Sequence, residues 1–191
     1  MLSTEKLLNF LDKHLENHTF ETLKLPFIAA VVNINSGKLE YFEEGNLPKA
    51  LQASTACPGV FESVKIGGHW YCDGGLINNM PASSIRDHCE LVIGVSVNPP
   101  LTYKPEIDAF KELMWRMFRS FIITITEPEI PNCDVYICPP ALGDFEITEM
   151  RKSREIYEAA YHYMKEWLED PSHQEMVHRL QQQVKFIKLI F

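Results

Sequence analysis

Along residues 4–16 the apolar positions Leu7, Leu8, Leu11 and Leu15 recur at helical spacing behind Ser3 and Thr4, two hydroxyls suited to capping. The pattern predicts an amphipathic helix. After a polar linker, LPFIAAVVNI (25–34) is a strand-forming run, NSGK (35–38) a turn and LEYFEE (39–44) a returning strand, so a hairpin is expected. Residues 47–56, LPKALQASTA, place proline early and helix formers after it, and Pro58-Gly59 stops the helix. VFESVKI and HWYC, separated by Gly67-Gly68, predict two short strands that lead into Asp73.

Beyond it, PASSIRDHC (81–89) predicts a short helix and ELVIGVSV (90–97) a continuously apolar strand, the pattern of a strand buried on both faces of a parallel sheet. Residues 105–119 read as a helix with Ile107, Phe110, Leu113, Met114 and Met117 on one side. The run FIITIT (121–126) fits a strand or an extension of that helix, because periodicity does not separate the two over so short a stretch. CDVYICP (133–139) predicts another buried strand, and 148–168 a long helix carrying Ile156, Tyr157, Ala160, Tyr163 and Trp167. Residues 169–191 close the chain with an amphipathic helix whose body is 176–190, striped by Val177, Leu180, Val184, Ile187 and Phe191, with docking on the core as its expected role. Strands and helices alternate, which predicts an α/β fold with a mostly parallel, helix-covered sheet.

Composition narrows the function classes. The 191 residues, 46% hydrophobic and 23% charged, fit one globular domain with a buried core. Eighteen basic against 26 acidic residues leave a net charge of −8, and no run of five cations exists to follow a nucleic-acid backbone. No apolar run reaches the roughly 18 residues that span a bilayer. The charged N-terminus is no secretory signal, so a cytoplasmic location is expected, with membrane contact peripheral at most. The five cysteines (Cys57, Cys72, Cys89, Cys133 and Cys138) sit in or beside apolar runs and read as reduced thiols. Cys133 with Cys138, and His14 with His18, each lack the further ligands a structural zinc requires, so no metal or other cofactor is expected.

The segment YCDGGLINNMP (71–81) is where chemistry enters. Asp-Gly-Gly is first of all a turn sequence, since glycine reaches backbone angles closed to other residues. Its surroundings change the picture: ALQASTACPGVF stands upstream, a two-strand lead-in follows, and LVIGVSV, CDVYICP and GDFEITEMRKSREIYEAAYHYM come after. The chain resembles the patatin-like phospholipase family, its bacterial members above all, over residues 20–168. The A-S-x-A-x-P-G-x-F segment followed by D-G-G-x-x-x-N-x-P carries the resemblance. It implies a three-layer α/β/α sandwich and a lipid acyl hydrolase that uses a serine and an aspartate without histidine, with lipid or ester as substrate.

By that match Asp73 is the general base of the dyad, and Gly74 and Gly75 clear its approach to the nucleophile. A serine hydroxyl is a weak nucleophile until a neighbouring base accepts its proton. An aspartate of ordinary pKa, about 3.9, is a poor base unless burial raises it or proton transfer accompanies attack. Trp70 and Tyr71 are expected to exclude water, and Asn78 and Asn79 to brace the loop through side-chain hydrogen bonds to backbone.

The family pattern also includes a G-x-S-x-G elbow and a Gly-rich oxyanion loop, and neither stands in this sequence. The nearest string, Gly94-Val95-Ser96-Val97-Asn98, runs into Pro99-Pro100, so Ser96 reads as a strand residue. Residues 1–191 are therefore expected to be a single, N-terminally incomplete patatin-like domain, inactive without the part that holds the serine and dependent on that part or on an oligomeric partner for stability. Two alternatives stand beside this. One is a noncatalytic interaction or regulatory module on the same scaffold; the other is a self-sufficient hydrolase using Ser54, Cys57 or Ser96 with Asp73, although small residues at a helix end account for Ser54 and Cys57.

Overall fold

The computed structural model describes residues 2–15, 18–107, 109–145, 150–183 and 189–190. Contacts divide the chain into two compact units, Met1–Pro81 with Ile187–Phe191, and Ala82–Phe186.

The first unit opens with helix α1 (Glu5–His14). Ser3 Oγ accepts from the Glu5 N–H, while the buried Thr4 hydroxyl instead accepts from Gln52 at 2.9 Å, so of the two expected caps only Ser3 serves the helix. Strand β1 (Phe27–Asn33) turns back into β2 (Lys38–Phe42) through a loop in which Gly37 has φ +70° and Asn33 Oδ1 accepts from the Asn35 and Ser36 N–H groups. Helix α2 (Leu47–Ser54) follows, capped by Asn46, whose side chain accepts from the Lys49 N–H at 2.8 Å. Strands β3 (Val64–Ile66) and β4 (His69–Asp73) complete this part, joined by Gly67 and Gly68, both at positive φ as a two-residue turn requires.

The strand order is β2-β1-β4-β3, every pairing on that path is antiparallel, and β1 is central. This corrects the expected mostly parallel sheet. Tight turns of this length join only antiparallel neighbours, whereas a parallel neighbour needs a crossover of a dozen or more residues. All but the first residue of β1 is buried. One of its faces takes α2: Val31 packs with Ala53, Ala56, Val64 and Tyr71, and Ala29 with Phe20, Leu47 and Ala50. Alanines on α2 let the helix settle close to the strand.

In the second unit, α3 (Ser83–Arg86) is followed by β5 (Ile93–Val95), α4 (Phe110–Thr126), β6 (Val135–Ile137), α5 (Ser153–Glu169) and α6 (Gln174–Gln183). The open question at 121–126 resolves as helix, since FIITIT forms the last turns of α4. Strands β5 and β6 pair in parallel, so the parallel expectation holds for this two-stranded sheet. The expectation that β5 is buried on both faces is corrected: Gly94 and Ser96 point inward, whereas Val95 and Val97 are 60% and 64% exposed, because a two-stranded sheet is covered here on one face only. Arg119 is buried in α4 and ties two loops together, donating to the carbonyls of Pro99 at 2.8 Å and Gly143 at 2.9 Å. Arg86 pairs with Asp134, which also accepts from the Val92 N–H. The expected helix over 148–168 is found as α5, its half-buried side formed by Ile156, Ala160, Tyr163 and Trp167; positions 148 and 149 lie outside the described residues.

The C-terminal helix also differs from expectation. It ends at Gln183, residues 184–188 and 191 lie outside the described residues, and β7 (Leu189–Ile190) pairs in parallel with Phe27 and Ile28 of β1, so a strand replaces the end of the expected helix. No described helix is long and apolar enough to cross a membrane.

Candidate active site

Asp73 is the last residue of β4, opposite Val31 of β1, and its backbone N–H donates to the Ala56 carbonyl at 3.2 Å. The chain then bends into a single 3₁₀ turn, Gly74–Leu76, which Asp73 itself caps. Its Oδ1 accepts from the Gly75 N–H at 2.8 Å, and Oδ2 accepts no hydrogen bond among the described residues. Burial raises the Asp73 carboxyl above its ordinary pKa, and the Gly75 N–H opposes the rise without cancelling it.

The two glycines are required for reasons other than turn angles, since neither has positive φ. A Cβ at Gly74 would lie 2.6 Å from both the carbonyl carbon and oxygen of Ala30, inside any real contact distance. A Cβ at Gly75 would meet Asn79 Oδ1 at 2.9 Å and Asp73 Oδ1 at 3.1 Å. Gly74 thus lets the turn lie on the backbone of β1, and Gly75 leaves space for the carboxylate to fold back onto its own N–H. Asn78 fastens the end of the turn, its Oδ1 accepting from the Met80 N–H at 3.1 Å while its own N–H donates to the Gly74 carbonyl.

The aromatic neighbours divide between the faces of β4. Tyr71 is buried, edge-on to Phe42 at 5.1 Å and hydrogen bonded to Glu40, a core position on the same side of the strand as Asp73. Trp70 points the other way, 45% exposed and against the Lys65 ammonium, so the expectation that it shields the acid from water is corrected by strand alternation.

The remaining hydroxyls and thiols are committed elsewhere. Ser54 Oγ donates to the Ala30 carbonyl at 2.8 Å. Substituting Ser54→Ala removes this bond and is expected to cost about 1 kcal/mol in urea unfolding. Cys57 and Cys72 are both pushed up by burial and then by the Asp73 charge, which holds them as thiols when only a thiolate is a strong nucleophile. Ser96 belongs to the second unit, where its Oγ accepts from the Asn98 N–H at 3.2 Å. Among the described residues no three His, Cys, Asp or Glu side chains converge as a metal would require.

The site is thus an acid held at a strand end, on a glycine turn that packs against the neighbouring strand. Residues 1–86 match the family described as Patatin-like phospholipase. More particularly, an uncharacterized NTE family protein of Mycobacterium tuberculosis is 31% identical over 126 residues, which are 63% of this chain and 34% of that protein. Its Mycobacterium bovis counterpart is equally similar. Lysophospholipase NTE1 of Coccidioides immitis is 24% identical over 180 residues, 80% of this chain and 11% of that protein. The chain thus spans about a third of the length of the mycobacterial relatives and about a tenth of the fungal one.

Proposed function

We propose that this chain supplies the base-bearing part of a serine lipid acyl hydrolase that cleaves carboxylic esters with a Ser-Asp dyad, Asp73 being the base. The observation that carries the reading is the Asp73 carboxylate itself: part-buried, anchored through Oδ1 and open at Oδ2. A raised pKa makes it a better proton acceptor than an exposed aspartate.

The nucleophile stands on sequence outside residues 1–191, in a G-x-S-x-G elbow that this chain does not contain. In the assembled enzyme Oδ2 takes the serine proton as the oxygen attacks the ester carbonyl, and the protonated acid then delivers that proton to the departing alcohol. Water repeats the cycle in the second half: Asp73 accepts its proton, the hydroxide adds to the acyl-serine, and the fatty acid leaves as the serine is reprotonated. A metal has no part in these steps. The relation to a lysophospholipase supports a lipid ester as substrate.

Residues 1–191 by themselves are expected to hydrolyse no p-nitrophenyl ester and to take no label from a fluorophosphonate probe. Labelling of Ser54 or Ser96 at a rate that falls on Asp73→Asn substitution would instead assign the nucleophile to this chain. The coding sequence in front of Met1 gives a second check, since the proposal expects a Gly-rich loop and then G-x-S-x-G there.

A further inference from the structure

The two asparagines after the glycine turn do different things. Asn78 braces the loop, its Oδ1 accepting from the Met80 N–H at 3.1 Å. Asn79 does not: its half-buried side chain makes no hydrogen bond among the described residues and lies against Gly75 instead. A Cβ placed on Gly75 would meet Asn79 Oδ1 at 2.9 Å and Asp73 Oδ1 at 3.1 Å, with Asp73 Cγ next at 3.8 Å. The amide and the carboxylate therefore face each other across a residue that has no side chain to part them.

Hydrogen-bond chemistry decides what the amide does there. Two oxygens in this arrangement oppose each other once the acid is ionised, since a carboxylate only accepts hydrogen bonds and an amide oxygen does the same. A half-turn about the last bond of the asparagine side chain exchanges Oδ1 and Nδ2, and that torsion is broad and roughly two-fold. The turned amide offers the carboxylate a donor. The titratable groups that act together with Asp73 are the thiols of Cys57 and Cys72, both held neutral, and its backbone donor is the Gly75 N–H, so neither thiol supplies the charge that would otherwise hold the acid. We propose that Asn79 is a positioning residue for Asp73: its side-chain amide donates to Oδ1 of the ionised acid beside the Gly75 N–H, fixing that oxygen and leaving Oδ2 for the serine. The catalytic meaning of this pairing rests on the proposed dyad, whereas the pairing itself stands on residues 73–79 alone.

The test is the titration of Asp73, followed through its carboxyl carbon by NMR on residues 1–191 in the parent, Asn79→Ala and Asn79→Asp. Loss of a donor to the charged form is expected to raise the Asp73 pKa in Asn79→Ala by about half a unit to one unit. A residue that merely covers the acid gives the opposite sign, because its removal lets water reach the carboxylate and lowers the pKa. Asn79→Asp keeps the size of the side chain and sets a second carboxylate against the first, so the Asp73 titration is expected to move up by about a unit or more and to become coupled to that of the introduced carboxyl. A fall or no change in Asn79→Ala would overturn the proposal, as would an Asp73 titration that Asn79→Asp leaves where it was. Far-UV circular dichroism checks the fold, and should Asn79→Ala unfold, the nearly isosteric Asn79→Asp decides alone. Neither measurement involves ester cleavage: the stated shifts in an enzyme indifferent to Asp73→Asn would keep the pairing and remove the base, and the reverse result would keep the base and remove the pairing.

Discussion

Asp73→Asn, introduced into the complete enzyme that joins residues 1–191 to the serine-bearing segment, is expected to lower ester hydrolysis by about a thousandfold or more while the protein stays folded. Asparagine keeps the shape of the side chain and can still accept the Gly75 N–H through Oδ1, so the turn survives. What it cannot do is take a proton at the position of Oδ2. The same change carries a signature in stability that separates a base from a structural acid. Burial raises the folded-state pKa of Asp73 above its ordinary 3.8, so the native state holds its proton more tightly than the unfolded chain. Stability is therefore lost as pH rises from about 3.8 through the raised folded value, and stays lost above it. Asp73→Asn removes that loss: unfolding by urea at pH 7 should show a variant at least as stable as the parent, an advantage that vanishes at pH 3. Near-parental turnover would take Asp73 out of the mechanism, and a marked loss of stability at pH 7 would make it a structural residue.

The second large effect is expected from Gly74→Ala. The added methyl would sit 2.6 Å from the Ala30 carbonyl carbon and oxygen and 2.8 Å from its Cβ. None of these is the flexible end of a side chain. Ala30 is 5% exposed in the middle of β1, paired with β2 and flanked on the other side by the pairing with β4, so the strand cannot step back. Overpacking ordinarily costs about 1–3 kcal/mol, and a contact with fixed backbone belongs at or above the top of that range. For a chain of this length the melting temperature should fall by about 10 °C. A shift within a degree or two would mean that the turn can move off β1.

Much of the fold was legible because its signals are local. Pro48 marked the start of α2, Pro58-Gly59 its limit, and Gly67-Gly68 the β3–β4 turn. The mostly parallel sheet was inferred from the apolar run 90–97 and from the alternation of strands and helices; that run does pair in parallel as β5 with β6, but the inference does not carry over to the first unit, where the short turn at Gly37 was the better guide. The stripe on α4 was legible as a stripe, but periodicity does not say which side faces inward, and that was settled by Arg119 reaching two loop carbonyls. At the site, the motif singled out Asp73, whereas the reason for Gly74 was hidden: it lies in Ala30, a residue distant in sequence, and the same Ala30 carbonyl holds Ser54.

Strand β7 bears on the order in which the chain acquires its structure. Phe27 and Ile28 wait for partners about 160 residues away, with the whole second unit between them in sequence. During synthesis the β1–β2 hairpin and α2 can assemble as soon as they emerge, but this stretch of β1 acquires its parallel neighbour only after everything from Ala82 onward has been made. Until then an apolar strand end is open to other nascent chains, a hazard that grows with the slow closure of so long a loop. Yield on expression should accordingly depend on chaperone supply more than the local turn signals of the first unit alone would suggest.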